Sequence, residues 1–342
     1  MAVSLAVGAY DLFELGDLPL QNGASLSAAK LAYKTYGTLN AAGTNAVVFP
    51  TAYGGTHVDN EWLIAPGKAL DPAQWFVICP NLFGAGLSSS PSNTPGAQGR
   101  GGFPHVTVYD NVAAQHRLVT ECFGIERIAL VTGFSMGAQQ SFHWAAAHPD
   151  MVERIAPVCG SARTAEHNVV FLDGIEATLK TDPAWNEGFY DTPPVAGQRA
   201  VGRVWAGWGL SQTWYREERW RENGAESREA FVKANYEGFF SAADANDLLA
   251  MLWTWRAANI ALHPRYEGDF ERALRSISAR AFVMPSRTDL YFPPQDSEIE
   301  VRHLPNAELL VIESVYGHAA GAGIAPSENA FVDAQIARLL SE

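Results

Sequence analysis

Short apolar runs that alternate with helix-forming stretches constrain the fold of this chain more than any other feature of its sequence. These runs end in turn-forming residues and lie at 45–51, 74–80, 127–133, 154–160, 279–286 and 307–314. Helix-forming stretches lie at 109–124, 137–149 and 327–340. Strands that are apolar throughout are buried on both faces. The alternation therefore predicts an α/β fold with a mostly parallel sheet that is covered by helices on both faces.

The stretch 163–275 interrupts this alternation. It shows no convincing strand pattern, and it contains seven of the ten tryptophans of the chain, namely Trp185, Trp205, Trp208, Trp214, Trp220, Trp253 and Trp255. We therefore predict a core domain formed by 1–162 and 276–342, with 163–275 inserted between two of its strands as a helical lid domain. The aromatic side chains of the insertion either pack its helices together and onto the core or line a substrate pocket.

Charge, apolar runs and cysteine usage narrow the possible environment and partners. The 24 basic and 37 acidic residues give a formal net charge of −13, which disfavours binding to nucleic acid or to an anionic membrane surface. No apolar stretch is long enough to span a membrane, and the N-terminal apolar run is too short for a convincing signal peptide. The three cysteines, Cys79, Cys122 and Cys159, show neither metal-ligand spacing nor a disulfide framework. We expect a cytoplasmic protein.

A pentapeptide of the form G-x-S-x-G, Gly133-Phe134-Ser135-Met136-Gly137, is the strongest motif for chemistry. It directly follows an apolar run and precedes an alanine-rich helix-forming stretch. A sharp strand-to-helix turn exposes the serine hydroxyl, and the flanking glycines avoid clashes with the adjacent strand and helix. The motif predicts a nucleophile elbow with Ser135 as the nucleophile. The alternative is an ordinary βα turn in which the serine caps the helix.

A serine nucleophile requires a base, which the elbow context places last in the order serine, acid, histidine. His318 lies in a glycine-flanked loop after the run 307–314, where the carboxyl edge of a parallel sheet is expected. His303 precedes that run and is expected at the opposite edge. We predict that His318 is the base; the alternative is a loop histidine that only forms hydrogen bonds.

The base requires a carboxylate that orients it. Asp289 follows the run 279–286 by three residues, where a turn would present its side chain, and Asp296 lies further on after two prolines. We predict that Asp289 is the acid; the alternative is a turn aspartate bonded to its own backbone.

The tetrahedral intermediate of acyl transfer also requires two backbone N–H donors for its oxyanion. One is expected from Met136, directly after the nucleophile. The other is expected from Tyr53, in the glycine-rich loop 51–57 that follows the run 45–51.

We expect no cofactor and no metal ion. Seven further histidines show no ligand spacing, and these are His57, His105, His116, His143, His148, His167 and His263. No dinucleotide or P-loop fingerprint occurs. The glycine-rich segment 81–93 lacks the lysine and the following helix of a P-loop, so we interpret it as an active-site loop.

Several segments together resemble the homoserine O-acetyltransferase family of α/β-hydrolases. They are the elbow, "YKTYGTLN" at 33–40, "APGKALDPAQWFVICPNLFGAGLSSSPS" at 65–92 and "GFSMGAQQSFHWAAAHPDMVERIAPVCGSARTAEHN" at 133–168. The resemblance is thinner in the helical insertion and returns at "DLYFPPQDS" and at the final "GH".

The resemblance implies an α/β-hydrolase fold with a helical lid over a deep tunnel. It also implies acetyl transfer through an acetyl-serine and a homodimeric assembly. Carried over residue by residue, it implies a triad of Ser135, Asp289 and His318, with Tyr53 and Met136 as oxyanion donors. These are the residues that the motifs select by themselves.

The chain departs from the family pattern around the expected amino-acid site. Homoserine transferases usually carry an acidic residue after the catalytic histidine, where this chain has Ala319. Phe134 and Ala138 replace two glycines of the family's "GGSMGGMQ", Ala85 replaces a loop cysteine, and no lid tyrosine is evident in 202–212. A zwitterion site needs a fixed carboxylate to offset desolvation of the ammonium group. We therefore expect that the acyl-serine chemistry is kept and that the amino-acid site is lost.

Three functions remain open at this point. We predict a serine hydrolase of short-chain acetyl esters, a non-homoserine member of the family, because the triad is intact and the ammonium anchor is missing. The alternative is an O-acetyltransferase that moves acetyl from acetyl-CoA, its co-substrate, to homoserine or another alcohol. A non-catalytic binding protein with a hydrolase fold is disfavoured, because the triad residues and the elbow glycines are all present.

Overall fold

The computed structural model describes residues 7–342. The first six residues, which belong to the predicted core domain and to the N-terminal apolar run, lie outside this part. Its strands form one sheet in the order β1-β2-β4-β3-β5-β6-β7-β8. The strands are β1 (Asp11–Pro19), β2 (Ser25–Tyr36), β3 (Ala46–Val48), β4 (Phe76–Pro80), β5 (Leu130–Phe134), β6 (Arg154–Val158), β7 (Arg280–Val283) and β8 (Ala307–Leu309).

The helices are α1 (Val108–Arg117), α2 (Met136–Ala147), α3 (Glu166–Lys180), α4 (Val195–Gly209), α5 (Gln212–Arg216), α6 (Arg228–Val232), α7 (Gly238–Ala242), α8 (Ala245–Arg256), α9 (Phe270–Arg275), α10 (Pro294–Val301) and α11 (Pro326–Ser341). π-helical turns at Leu118–Cys122 and Lys233–Glu237 continue α1 and join α6 to α7. Short 3-10 turns lie at His57–Leu63, Gly96–Gln98, Arg100–Gly102, Pro183–Gly188, Arg219–Asn223, Ile260–Leu262 and Gly317–Gly321. The three helices predicted from the sequence correspond to α1 with its π-helical turn, α2 and α11.

Most of the sheet is parallel, as the apolar runs predict. Each pair of neighbours from β4 across to β8 is parallel, whereas β1 pairs antiparallel with β2, and β2 with β4. A short turn suffices to join antiparallel strands, and helical crossovers join the parallel ones. The sequence did not reveal β1, because only Leu15 and Leu18 of this edge strand are fully buried.

The two faces of the sheet pack against different helices. Val47 and Phe282 belong to one hydrophobic cluster together with the inner face of α11. Val48 and Val283, their chain neighbours, belong to the cluster that includes α1 and α2. Successive strand residues point to opposite faces, so strands that are covered on both sides must be apolar at every position. The predicted α/β architecture with helices on both faces is confirmed.

The segment between β6 and β7 is helical and has its own apolar cluster. It contains α3 to α9, and its described residues form no strand, only one isolated bridge between Arg163 and Asn259. Trp205, Trp214 and Trp255 are buried in a cluster formed mainly by this segment. That cluster also reaches Tyr53 and Met136, so the helices pack directly over the elbow. The division into core and lid domains stays a prediction.

Two further observations concern the environment of the chain. All three cysteines are free thiols; Cys79 and Cys159 are buried, and Cys122 is exposed. Between residues 7 and 342, no helix has both the length and the apolar character needed to cross a bilayer.

Candidate active site

Ser135 occupies a strained turn between β5 and α2. Its backbone φ is 57° and its ψ is −119°, a combination that a non-glycine residue rarely adopts. The chain can turn this sharply because its neighbours lack side chains. A Cβ atom on Gly133 would lie 2.3 Å from the carbonyl carbon of Gly137, and one on Gly137 would lie 2.7 Å from the carbonyl oxygen of Pro50. This geometry is that of a nucleophile elbow.

Ser135, His318 and Asp289 form one hydrogen-bonded chain. Oγ of Ser135 lies 2.9 Å from Nε2 of His318, and Nδ1 of His318 lies 2.7 Å from Oδ2 of Asp289. Because a carboxylate only accepts hydrogen bonds, we assign the ring proton to Nδ1, which leaves Nε2 to accept the hydroxyl proton. The structure thus brings together the three residues that the sequence selects, in the arrangement that activates a serine hydroxyl.

The Asp289 carboxylate is held from two sides. Its side chain has no exposed surface. Oδ1 accepts hydrogen bonds from the backbone N–H groups of Tyr291 at 2.8 Å and Phe292 at 3.2 Å, while Oδ2 faces His318. The carboxylate therefore bonds to the backbone of its own turn, as the alternative interpretation of Asp289 describes. It also orients the imidazole of His318.

Aromatic side chains enclose the His318 ring. The ring centroids of Phe134, Tyr291 and Phe292 lie 4.7, 4.9 and 5.6 Å from that of His318. Oγ1 of Thr288 accepts a hydrogen bond from the N–H of Gly317 at 3.1 Å, which ties the histidine loop to the aspartate loop. The imidazole is thus fixed by packing as well as by hydrogen bonds. Sequence reasoning missed the roles of Tyr291 and Phe292, although both lie within three residues of the predicted acid.

The rejected candidates lie elsewhere. His303 follows α10, and its Nδ1 atom lies 3.8 Å from Oε2 of Glu271. Asp296 lies in the first turn of α10. Both nitrogens of His318 are already engaged by Asp289 and Ser135.

The predicted oxyanion donors lie beside the nucleophile. Met136 is the first residue of α2, where a backbone N–H has no acceptor within the helix. Tyr53 lies in the loop after β3, and its side chain lines the same cavity as Ser135. The Tyr53 hydroxyl donates to the carbonyl of Leu248 at 3.1 Å, and burial raises its pKa. Its ring also stacks on Trp205 at a centroid distance of 4.9 Å. The loop that carries Tyr53 is therefore anchored to the helical segment.

A small cavity, here called the central cavity, lies above the Ser135 hydroxyl. Both the core and the helical segment contribute aromatic walls to it, namely Tyr53, Phe134, Trp205, Tyr236, Phe239, Phe240, Trp255 and Tyr291. Its volume is about 40 Å³. Both interpretations of the aromatic insertion therefore apply: Trp205 and Trp255 line the cavity, whereas Trp220 is buried within the helical cluster away from it.

One sequence interpretation is wrong. The segment 81–93 was expected to be an active-site loop, but none of its residues lines the cavities around Ser135. It packs against α8 instead. Ser92 donates from its N–H and its hydroxyl to the Asp247 carboxylate at 2.9 and 2.6 Å, and burial raises the pKa of Asp247 to about 7. The glycines of this loop allow close approach to the helix, since a Cβ on Gly84 would lie 3.2 Å from Ala250.

No metal-binding cluster is found in the part of the chain that the structure describes. No three His, Cys, Asp or Glu side chains there are placed to hold an ion. His116 and His148 stack at a centroid distance of 4.0 Å, and burial lowers the pKa of both rings.

Comparisons with known proteins agree with this geometry. Residues 45–320 match the family described as alpha/beta hydrolase fold. An ethyl acetate hydrolase of Pseudomonas veronii is 39% identical over 337 residues, which cover 98% of this chain and 96% of that protein. A homoserine O-acetyltransferase of Chlorobaculum parvum is 31% identical over 330 residues, which cover 91% of this chain and 88% of that protein.

The solved structures give the same picture. The acetyl esterase MekB superposes with a TM-score of 0.95 at 38% identity, over 98% of this chain and 97% of that one. The elbow, the strand order and these similarities lead to one conclusion: the chain belongs to the alpha/beta hydrolase family, in a group that contains both acetyl esterases and homoserine O-acetyltransferases.

Proposed function

We propose that this chain is a serine hydrolase that cleaves short-chain acetyl esters through an acyl-serine intermediate. The observation that carries the proposal is the hydrogen-bonded chain of Ser135, His318 and Asp289 beneath a small apolar cavity. The similarity to an ethyl acetate hydrolase and to an acetyl esterase supports the choice of substrate.

In the first half of the reaction, Oγ of Ser135 attacks the carbonyl carbon of the ester. Nε2 of His318 takes the hydroxyl proton, and Asp289 holds the imidazole in the required tautomer and stabilises the imidazolium. The N–H groups of Tyr53 and Met136 stabilise the oxyanion; loss of one such donor costs roughly 10²–10³ in rate. The intermediate collapses, and His318 returns the proton to the departing alcohol, which leaves acetyl-Ser135.

The second half repeats the same steps with water. His318 removes a proton from a water molecule, whose oxygen attacks the acyl-serine carbonyl. The second tetrahedral intermediate then releases the carboxylic acid, and Ser135 recovers its proton from His318. These steps use only groups of the protein, the ester and water, so we propose that the reaction needs no cofactor and no metal ion.

The size of the central cavity supports a short acyl group. A volume of about 40 Å³ accommodates about three water molecules, at roughly 10–15 Å³ for each. An acetyl group has a comparable size, and aromatic side chains of the cavity would surround it on several sides. Longer acyl chains require a wall to move.

Acetyl transfer from acetyl-CoA to homoserine is the second candidate, and the similarity to a homoserine O-acetyltransferase favours it. Such a reaction needs a carboxylate for the ammonium group of the acceptor. Ala319 stands after His318, and it lines the space beside that histidine. Glu222 also lines this space, but Tyr316 and Arg219 already engage its carboxylate at 2.9 and 3.3 Å. Hydrolysis therefore fits this site better.

Three further proposals accompany the activity. The helical segment 163–275 acts as a lid, since it supplies much of the wall over Ser135. The homodimer rests on the family resemblance alone, and light scattering after size-exclusion chromatography measures it. The cytoplasmic location rests on the free thiols, and fractionation of cells that express the chain tests it.

A side-by-side assay distinguishes the candidate functions. One reaction contains ethyl acetate or p-nitrophenyl acetate, and the other contains acetyl-CoA with and without homoserine. We expect acetate release in the first and no homoserine-dependent release of CoA in the second. Homoserine-dependent release would establish the transferase. A fluorophosphonate probe that fails to label Ser135 would instead favour a non-catalytic protein.

A further inference from the structure

Three cavities meet at the side chain of Phe134. The central cavity contains Ser135 and His318. A larger space of about 240 Å³, here called the histidine-side chamber, also has His318 in its wall, together with Trp214, Phe231 and Tyr316. A third space of about 230 Å³, the oxyanion-side chamber, is lined by residues of the Tyr53 loop, including Gly54, Gly55 and Thr56. Phe134 is the one residue that lines all three.

Proton transfer decides which chamber receives the alcohol part of an ester. The departing oxygen must take a proton from Nε2 of His318, so it must lie on the side of that ring. His318 lines the histidine-side chamber, whereas neither it nor Ser135 lines the oxyanion-side chamber. The alcohol part therefore extends into the histidine-side chamber, and the acyl part points the other way.

Aromatic side chains lie between the central cavity and the oxyanion-side chamber. The central cavity and the oxyanion-side chamber share only Ala52, Tyr53, Phe134 and Phe239. Tyr53 is held by its hydrogen bond to Leu248 and its stacking on Trp205. The Phe239 ring lies against the oxyanion loop, since a Cβ on Gly54 would lie 2.4 Å from its Cζ atom. The half-buried rings of Phe134 and Phe239 therefore lie between the acyl group of a bound ester and the oxyanion-side chamber.

We infer that Phe134 and Phe239 together limit the acyl part of the substrate to about the size of an acetyl group. The length of the alcohol part is not limited in this way, because the alcohol part enters the larger histidine-side chamber. This inference rests on the proposed function and adds the orientation of the substrate and the cause of its selectivity. The resemblance to homoserine O-acetyltransferases implies a glycine at position 134, so this part of the wall departs from that pattern.

The unmodified protein provides the first test. Ethyl butyrate and butyl acetate add the same two methylenes to ethyl acetate, on opposite sides of the reacting bond. We expect kcat/KM for ethyl butyrate to fall about tenfold or more below that for ethyl acetate, whereas butyl acetate is hydrolysed at least as well. Failure to hydrolyse any acetate ester would contradict the proposed function. Equal hydrolysis of ethyl butyrate and ethyl acetate would overturn this inference alone.

Removal of the wall provides the second test. Phe134→Ala and, separately, Phe239→Ala connect the central cavity to the oxyanion-side chamber. Each newly buried methylene contributes about fourfold to kcat/KM, so the ratio of ethyl butyrate to ethyl acetate should rise by about fifteenfold. In Phe239→Ala the ratio of butyl acetate to ethyl acetate should stay within about twofold, because Phe239 does not line the histidine-side chamber.

Two comparison variants complete the design. Phe189→Ala alters an exposed phenylalanine outside the three cavities, and both ratios should remain those of the unmodified protein. Phe231→Ala widens only the histidine-side chamber and should favour bulkier alcohols such as benzyl acetate over ethyl acetate. Because the Phe134 ring packs against that of His318, we expect its replacement to lower activity overall. Phe239→Ala then provides the test, since Phe239 does not stack on the His318 ring. The inference is wrong if folded Phe239→Ala hydrolyses ethyl acetate and leaves the acyl ratio unchanged, or if Phe231→Ala raises that ratio instead.

Discussion

Oγ of Ser135 and Nε2 of His318 lie 2.9 Å apart although 183 residues separate them along the chain. Ser135 directly follows β5, and His318 lies in the loop beyond β8, so both stand at the carboxyl edge of the parallel sheet. The helical segment between β6 and β7 leaves the sheet at this same edge. This explains why one edge carries Ser135, His318 and the aromatic cover together.

Replacing Asp289 by asparagine should remove the orientation of the imidazole without changing the shape of the site. An amide can donate a hydrogen bond to Nδ1, which would place the ring proton on Nε2 and block acceptance from Ser135. We expect kcat for ethyl acetate to fall roughly 10⁴-fold with little change in melting temperature. Steady-state kinetics and calorimetry measure the two effects. A loss below tenfold in a folded variant would exclude Asp289 as the orienting acid.

Replacing Ala319 by aspartate should supply the carboxylate that an amino-acid acceptor needs. Ala319 lines the histidine-side chamber, where the alcohol part of a substrate is expected. We expect O-acetylhomoserine to appear when the variant is given an acetyl donor and homoserine, at the expense of acetate release. Mass spectrometry of the products measures this change. Ala319→Asn is the uncharged control, and equal formation by both variants would show that charge is not the missing element.

Buried histidines should make the fold sensitive to acid. Burial lowers the pKa of His143 and of His148 to about 3, whereas an unfolded histidine titrates near 6.5. The unfolded chain therefore binds more protons below pH 6.5, and stability is present above that pH and is lost as the pH falls towards 3. We expect His148→Gln to reduce the loss of unfolding free energy between pH 7 and pH 5 by about 1 kcal/mol, after allowance for solvent screening. Urea unfolding at the two pH values tests this, and an unchanged pH dependence would contradict it.

Glu300 should have the opposite pH dependence. Burial raises its pKa to about 8, and Oε1 accepts a hydrogen bond from the N–H of Ala162 at 2.6 Å while Oε2 has no hydrogen-bond partner among the described residues. The folded chain therefore keeps a proton that the unfolded chain releases near pH 4.3, so stability falls as the pH rises from about 4.3 to 8. Glu300→Gln keeps an acceptor for Ala162 and should remove this fall. Unfolding at pH 5 and pH 8 measures it, with Glu298→Gln as a control in the same helix. An equal pH dependence in Glu300→Gln and the unmodified protein would contradict the assignment.

The interior strands and the elbow could be predicted because their residues carry a local signal. Strands such as β5 and β6 are apolar at consecutive positions, and the glycines around Ser135 reflect contacts within one turn. The edge strands were harder. β1 exposes most of its side chains, and β8 ends at Leu309, short of the predicted 314, because beyond this residue the pairing is reduced to an isolated bridge between Ser286 and Ile312.

The walls of the site could not be predicted because they come from distant parts of the chain. Trp205 packs against Tyr53 and Phe171, and no local pattern distinguishes it from the tryptophans that only fill the helical cluster. The segment 81–93 was misinterpreted for the same reason. Its glycines and serines suit a ligand-binding loop and a helix-packing loop equally well, and only the position of Asp247 decides between them.

The most direct test of the account compares acetate release from ethyl acetate by the unmodified protein and by Ser135→Ala. The substitution removes only the hydroxyl oxygen at the point where the hydrogen-bonded chain ends. We predict steady turnover by the unmodified protein and a loss of at least roughly 10⁴-fold in kcat for the variant, with an unchanged melting temperature. Turnover that survives in Ser135→Ala, or its absence from the folded unmodified protein, would contradict the account.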